Sequence, residues 1–294
     1  KRLYSAGIIA VRGSWLDFEF DSKDILYVRI DRRRKLPVSV LLKALGYTEG
    51  ELLNEFYHTD QVHRDGDRYA IAFNPLTFAS QRLTTDVINP ADGTVIAKKG
   101  KKVTKSLAKK IESLGVSSMA IDADDLCGRF FATDIVNEAT GEVLAKGNDT
   151  VTPEVLKTLA EGGVTSFELL FIDGVNYSDS FRKTLLLDKI KDTEEALVEI
   201  YRRLRPSSPP TLEVAKTFFD NLFFSAATYD LSEVGRYKIN TKLALATPIE
   251  VRTLTKEDIV KSVKHLVRIK DELKDGDDID PLGNRRVRTV GELC

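Results

Sequence analysis

The chain has 294 residues and a mass of 32.9 kDa, a length that fits one large domain or two modest ones. Its 42% hydrophobic and 30% charged residues make an ordinary globular composition, and 44 Lys and Arg against 45 Asp and Glu leave a net charge of −1. That balance excludes a uniformly basic nucleic-acid coat and an acidic tail protein, but it leaves room for local patches of either sign.

Lys1 to Ile9 lacks the apolar core of a signal peptide, and no apolar run approaches the roughly 20 residues of a membrane span. With Lys1 at the start in place of Met, the sequence reads as a processed product or an excised piece. Leu16–Phe20 alternates apolar and polar residues as a half-buried strand does, and residues 25–30 repeat the pattern after a turn at 21–24. Pro37 opens a helix over 38–45 that Gly46 ends. Thr48, Glu49, Gly50 and Glu51 form a capping-box signature for a helix through Phe56.

The middle of the chain carries an internal repeat at an offset of 48 residues. Residues 86–97 (DVINPADGTVIA) match 134–145 (DIVNEATGEVLA), and the register holds through Val103-Thr104 with Val151-Thr152 and Gly115-Val116 with Gly163-Val164. Each copy reads as strand, glycine turn, strand, short helix, strand. Gly93 and Gly141 sit at the hairpin turns, Thr104 and Thr152 cap the helices, and Pro153 takes a first helical position. Two copies are too few for a solenoid, so a pseudo-symmetric α+β module is expected. The lysine run 98–102 in the first copy becomes Lys146, Gly147, Asn148 and Asp149 in the second, which favours a solvated loop over a DNA contact. Beyond residue 174 helical patterns return. Thr193 is expected to cap a helix over 194–205, with Ala196, Leu197, Ile200, Tyr201 and Leu204 inward. Thr211 caps the next, with Val214, Ala215, Phe218, Phe219 and Leu222 inward. Thr255 starts a third helix, with Ile259, Val260, Val263, Leu266 and Val267 as its stripe and residues 274–276 as its end.

No phosphate loop, dinucleotide fingerprint, nucleophile elbow or H-E-x-x-H motif is present, so no catalytic residue is assigned. His58 and His63 lie five apart without a third ligand, and the acids at 275, 277, 278 and 280 lack calcium-loop spacing, so no metal site is expected. Cys127 and Cys294 support neither a disulfide framework nor a zinc site, which fits a reducing, cytoplasmic setting. Two basic clusters break the neutral average: Asp31-Arg32-Arg33-Arg34-Lys35 and Asn284-Arg285-Arg286-Val287-Arg288. Four adjacent cations repel one another, so the first cluster is either a solvated loop or a contact for an anion. The lone Trp15 is either a core anchor or a stacking face beside those arginines, the combination that single-stranded nucleic acid uses.

Residues 12–21 (RGSWLDFEFD) and 28–37 (VRIDRRRKLP) closely resemble the bacterial RNA polymerase β subunit family. So do 196–206 (ALVEIYRRLRP), 229–236 (YDLSEVGR) and 278–286 (DIDPLGNRR). The resemblance runs along the whole chain and is weakest between about 58 and 173. It implies an α+β fold: a discontinuous lobe domain of mixed helices and strands at 1–57 and 174–294, interrupted at 58–173 by a lineage-specific inserted α+β module that holds the duplicated unit. In that family the lobe forms one wall of the downstream DNA cleft and contacts the non-template strand. Carried over by motif, Trp15 stacks on an unpaired base and Asp280 accepts hydrogen bonds from a flipped guanine. Ile279 and Arg285 line that pocket, and Asp31, Arg32 and Arg33 flank it. Pro281 departs from the family pattern, where histidine is common.

The resemblance further implies part of a nucleotidyltransferase with no catalytic group in this stretch and no cofactor, since β′ binds the enzyme's Mg2+. The implied partners are DNA and the β′, α, ω and σ subunits; apart from the resemblance, the insert's separate style and self-contained repeat point to a docking platform for transcription regulators. The implied location is cytoplasmic and nucleoid-associated, with no membrane contact. The alternative is a free-standing nucleic-acid-binding or regulatory module derived from the lobe.

Overall fold

The computed structural model describes residues 3–273. They divide into two units: the described residues of Lys1–Thr48 and Ser178–Cys294 make one, and Glu49–Tyr177 makes the other. The first unit opens with an antiparallel meander of β1 (Ser5–Ile8), β2 (Leu16–Phe20), β3 (Leu26–Ile30) and β4 (Leu36–Pro37), in that spatial order. The period of two read from the sequence holds. Leu16, Phe18 and Phe20 lie opposite Ile30, Val28 and Leu26, all six are buried, and Asp17, Glu19, Tyr27 and Arg29 take the other face. Pro37 donates no hydrogen bond, which an edge strand tolerates. α1 (Val38–Ala44) follows with every residue buried, and Gly46 turns the chain beyond it at φ +103°.

The second unit begins with α2 (Glu49–Phe56) and the hairpin β5 (Thr59–Asp65) and β6 (Arg68–Ala72). The first repeat copy then supplies α3 (Pro75–Phe78), β7 (Val87–Ile88), β8 (Val95–Ala97), α4 (Lys105–Ser113) and β9 (Ser118–Ile121). The second supplies α5 (Ala123–Leu126), β10 (Ile135–Val136), β11 (Val143–Ala145), α6 (Pro153–Glu161) and β12 (Ser166–Leu170). The order of strand, turn, strand, helix and strand is as expected, and Thr104 and Thr152 cap α4 and α6 through the amides of Leu107 and Val155. The duplication is longer than its visible sequence match. α3 and α5 are also related by 48 residues, so the copies occupy 74–121 and 122–169 without a gap. Four left-handed positions recur in each copy: Ser80 and Gly128, Gly93 and Gly141, Gly100 and Asn148, Gly115 and Gly163.

The two copies meet on the β5–β6 hairpin. The last strand of each extends one edge of it, which gives the order β12-β5-β6-β9. Phe167, Val62, Ile71 and Met119 therefore form one buried row across the sheet, with Phe167 and Met119 at equivalent positions of the two copies. Each buried side chain of this kind contributes roughly 1.5–3 kcal/mol.

The chain returns to the first unit with α7 (Ser180–Leu187), α8 (Thr193–Leu204), α9 (Leu212–Phe223), α10 (Ser232–Leu243) and α11 (Lys256–Asp271). α8 packs on both α1 and α9, with Tyr201 edge-on to Phe218 at 5.2 Å. Three expectations are corrected. Asp192, not Thr193, caps α8, because its carboxylate accepts from the Glu195 amide one position earlier than anticipated. Val214 is 47% exposed in the first turn of α9 instead of facing inward, and Leu204 at the end of α8 is only half-buried. Thr211 caps α9, and Thr255 with Asp258 forms a full capping box on α11, whose five predicted apolar residues are buried. α11 ends at Asp271, before the expected 274–276, which lie outside the described residues. No described helix is long and apolar enough to cross a membrane.

Candidate nucleic-acid interface

The segment before β2 is pinned by backbone pairing with residue 230. The Val11 amide donates to the Asp230 carbonyl at 2.9 Å, and the Asp230 amide donates to the Arg12 carbonyl at 2.7 Å. Gly13 is required here. At φ +118° a Cβ would lie 2.6 Å from the Tyr229 ring and 3.0 Å from the Thr228 carbonyl oxygen. Tyr229 is buried, and its hydroxyl has no hydrogen-bond partner among the described residues. Burial, with the nearby Asp258 charge adding to it, raises its pKa far above the ordinary phenol value. Asp230 holds Arg252 through Nε at 2.8 Å and Nη2 at 2.5 Å. Burial pushes its carboxyl up, but Arg252, the Ser232 amide and Arg12 outweigh that and keep it below the usual carboxylate range.

Past this anchor, Trp15 enters β2 half-buried, between the two readings open in the sequence. Asp31 fixes it. The carboxylate accepts from the Trp15 amide at 2.9 Å and from the Ser14 hydroxyl at 2.8 Å, and the Asp31 amide donates to the Trp15 carbonyl at 3.0 Å. Asp31 and Arg32 then turn the chain with φ +51° and +57°, closed by the Arg33 amide donating to Ile30 at 3.0 Å. Two positive φ values in a four-residue turn are the type I′ pattern, which favours Asn and Gly. Asp tolerates the position, whereas Arg32 holds it at a cost of about 1–2 kcal/mol.

That strain places the Arg32 guanidinium 4.8 Å from the centre of the Trp15 ring. Arg29, paired with Glu19 at 3.0 Å, braces the turn by donating to the Arg33 carbonyl at 3.3 Å. Lys35 lies over Tyr27 at 4.0 Å. Arg32, Arg33 and Arg34 are exposed, and none forms an ion pair among the described residues. The result is an indole–guanidinium stack on a hydrogen-bonded turn, beside cations that form no ion pair among the described residues. It supplies flat surface for a base and positive charge for phosphate. Strained backbone of this kind is characteristic of functional sites.

The structure thus brings Trp15, Asp31 and Arg32 together and sets Arg33 beside them on the same turn. Ile279, Asp280 and Arg285, expected to complete the base pocket, lie outside the described residues. The anchor formed by Gly13, Tyr229, Asp230 and Arg252 is not marked as a unit in the sequence. Its parts fall inside conspicuous motifs, but nothing in either motif announces the other. Among the described residues, no group of three or more His, Cys, Asp or Glu side chains is placed to hold a metal ion. His58 instead packs edge-on to Tyr177 at 5.3 Å.

The sequence pattern of the family described as RNA polymerase Rpb2, domain 2 matches residues 1–84 and 171–288. Among similar proteins, the DNA-directed RNA polymerase subunit beta of Desulfotalea psychrophila is 56% identical over 293 residues. That of Geobacter metallireducens is 57% identical over 293 residues, and that of Syntrophobacter fumaroxidans 50% over 294. In each case all of this chain is covered, and the chain spans only 21–22% of the relative's length.

Proposed function

This chain belongs to the RNA polymerase Rpb2 domain 2 family, and from that premise we propose that it works as the lobe of a transcribing polymerase. In this reading the first unit forms one wall of the cleft for downstream DNA and touches the opened non-template strand. Trp15 offers its ring to one unpaired base. Arg32 and Arg33 draw in the phosphates, and Asp31 acts as a positioning residue that holds the turn. Ile279, Asp280 and Arg285 complete a guanine-reading pocket, in which a carboxylate suits the N1–H and N2–H donors of guanine. One such pair discriminates by roughly 1–3 kcal/mol. The chain contributes no catalytic group, and the Mg2+ of nucleotidyl transfer is held by β′. DNA and the β′, α, ω and σ subunits are its partners.

The inserted module, proposed at 58–173, serves as a docking platform for regulators. Its distinct repeat architecture, and the absence of residues 85–170 from the family match, support its separate origin. Deletion of 58–173 is expected to leave basal transcription largely intact, and severe loss of basal activity would contradict the platform role.

The observation that carries the lobe reading is the strained Arg32 stacked on Trp15, beside arginines that form no ion pair among the described residues. Arg32→Gln with Arg33→Gln in the complete polymerase should shorten the open-complex lifetime. Its salt dependence should flatten by about 0.7 in the log–log slope for each single-strand phosphate that is no longer neutralised. Unchanged lifetime and slope would remove these residues from the DNA path.

A further inference from the structure

The two repeat copies share one scaffold and carry opposite charge. Residues 74–121 hold eight Lys and Arg against three Asp and Glu, and residues 122–169 hold three against ten. The fold cannot require this difference, since the same turns, caps and strands form in both copies. In the first copy Lys98, Lys99, Lys101 and Lys102 are exposed on a tight turn around Gly100, and Arg82 donates to the Gly100 carbonyl at 3.0 Å. Lys105 opens α4 only three residues later, and Lys109 follows one helical turn on, about 6 Å along the axis. None of these lysines forms an ion pair among the described residues.

Their positions work against the fold. Lys105 stands at the helix N-terminus, where the backbone dipole disfavours a cation, and α4 has no acid in its first turn. Lys105 and Lys109 are a like-charge pair at i,i+4, which destabilises a helix. The equivalent helix α6 shows the favourable solution. Glu154 lies in its first turn, where its own backbone amide and the Thr152 hydroxyl lower its pKa. The acidic copy also surrounds a cleft of about 490 Å³ with Asp134, Glu138 and Glu168, a lining that repels phosphate.

In place of the solvated loop expected from the sequence, we propose that the lysine face of the first copy, around the Gly100 turn and the start of α4, binds the phosphate backbone of duplex DNA without sequence preference. The acidic copy keeps the opposite side away from the nucleic acid. Duplex DNA presents one charge per ~1.7 Å of axis, which suits a row of unpaired lysines that have no planar group to read a base. This interaction is additional to the lobe's proposed hold on the non-template strand and uses none of the same residues.

The test titrates the 294-residue chain against a fluorescent duplex between 50 and 200 mM salt. Lys98→Gln, Lys99→Gln, Lys101→Gln and Lys102→Gln combined should weaken binding at least tenfold at the lowest salt. The log–log salt slope should fall by about 0.9 for each phosphate that the variant no longer neutralises. The melting temperature should hold or rise as repulsion is relieved. Affinity within twofold of the parent chain with the same slope would overturn the proposal, as would a fall in melting temperature that tied these lysines to the fold. Displacement of the duplex by polyglutamate as readily as by unlabelled duplex at equal charge would also overturn it, in favour of an acidic protein partner. A second variant, Arg32→Gln, Arg33→Gln and Arg34→Gln, separates the two readings. If only this variant loses binding, the lysine face fails and the lobe reading stands. If only the lysine variant loses binding, the lysine face stands alone.

Discussion

In the first unit, buried charges tie together segments far apart in sequence. Lys43 in α1 pairs with Asp188 at 3.0 Å with both side chains almost fully buried, and donates to the Ile190 carbonyl at 2.6 Å. Arg236 in α10 pairs with Asp258 in α11 at 2.7 Å with neither exposed, and also donates to the Val251 and Thr253 carbonyls. In the second unit, matched local devices recur instead: threonine caps, left-handed turns and equivalent apolar residues on the two edges of one hairpin. A buried acid there, Asp60, meets the partly exposed Arg129 at 2.5 Å. A unit built from paired charges is specified by residues that must find one another, whereas a duplicated unit is specified twice over by short-range signals.

Breaking a buried pair should therefore have the largest effect. Asp258→Ala leaves Arg236 buried without its partner, at a cost of about 3–5 kcal/mol. The first unit's thermal transition should fall by on the order of 10 °C, while a probe in the second unit moves little. Gly13→Ala strikes the same unit through the backbone, because the methyl meets Tyr229 and the left-handed φ resists a side chain. A loss of about 1–3 kcal/mol is expected in denaturant titration. In the second unit, Thr104→Ala and Thr152→Ala should each cost about 1 kcal/mol, and their sum should match the double mutant because the caps do not touch. Unequal losses at these equivalent sites would show that the copies are not energetically alike.

Acid sharpens the contrast further. The folded Asp230 carboxyl titrates below its ordinary value, so its contribution is complete above the unfolded pKa and is lost as pH falls through the folded one. Stability of the first unit should decline below about pH 4, and Arg252→Gln should flatten that decline. The smallest effect on stability is expected for Arg32→Gly. Relief of the left-handed strain is offset by lost stacking on Trp15 and by greater chain freedom, so the melting temperature should shift by less than about 2 °C.

The same contrast explains what is legible in the sequence. The repeat, its turns and its caps are visible because each depends on residues within a few positions of one another. α7 and α10 are not, because polar residues interrupt the buried face of α7 and make up that of α10. α7 buries Ser180, Arg182 and Thr184 alongside Phe181 and Leu185, and among the residues of α10 only Ser232 and Arg236 are buried, so neither shows a continuous apolar stripe. The β5–β6 hairpin hides for a related reason, since Asp60 is one of its buried residues. α3 and α5 are single turns whose kinship appears only when the 48-residue offset is laid over the fold. At the candidate site, Trp15 and the arginines stand out as residue types, but the role of Asp31 does not. Its bonds to Ser14 and Trp15 depend on the pairing of β2 with β3.

The proposed contact of Trp15 with an unpaired base is open to one direct measurement. In the complete polymerase, 2-aminopurine is placed in turn at each non-template position of the open complex, and its fluorescence is compared between the parent enzyme and Trp15→Ala. Loss of stacking should brighten the probe at one position and leave the others unchanged. Equal fluorescence of the two enzymes at every position would contradict the contact and leave Trp15 as an internal support for the Arg32 turn.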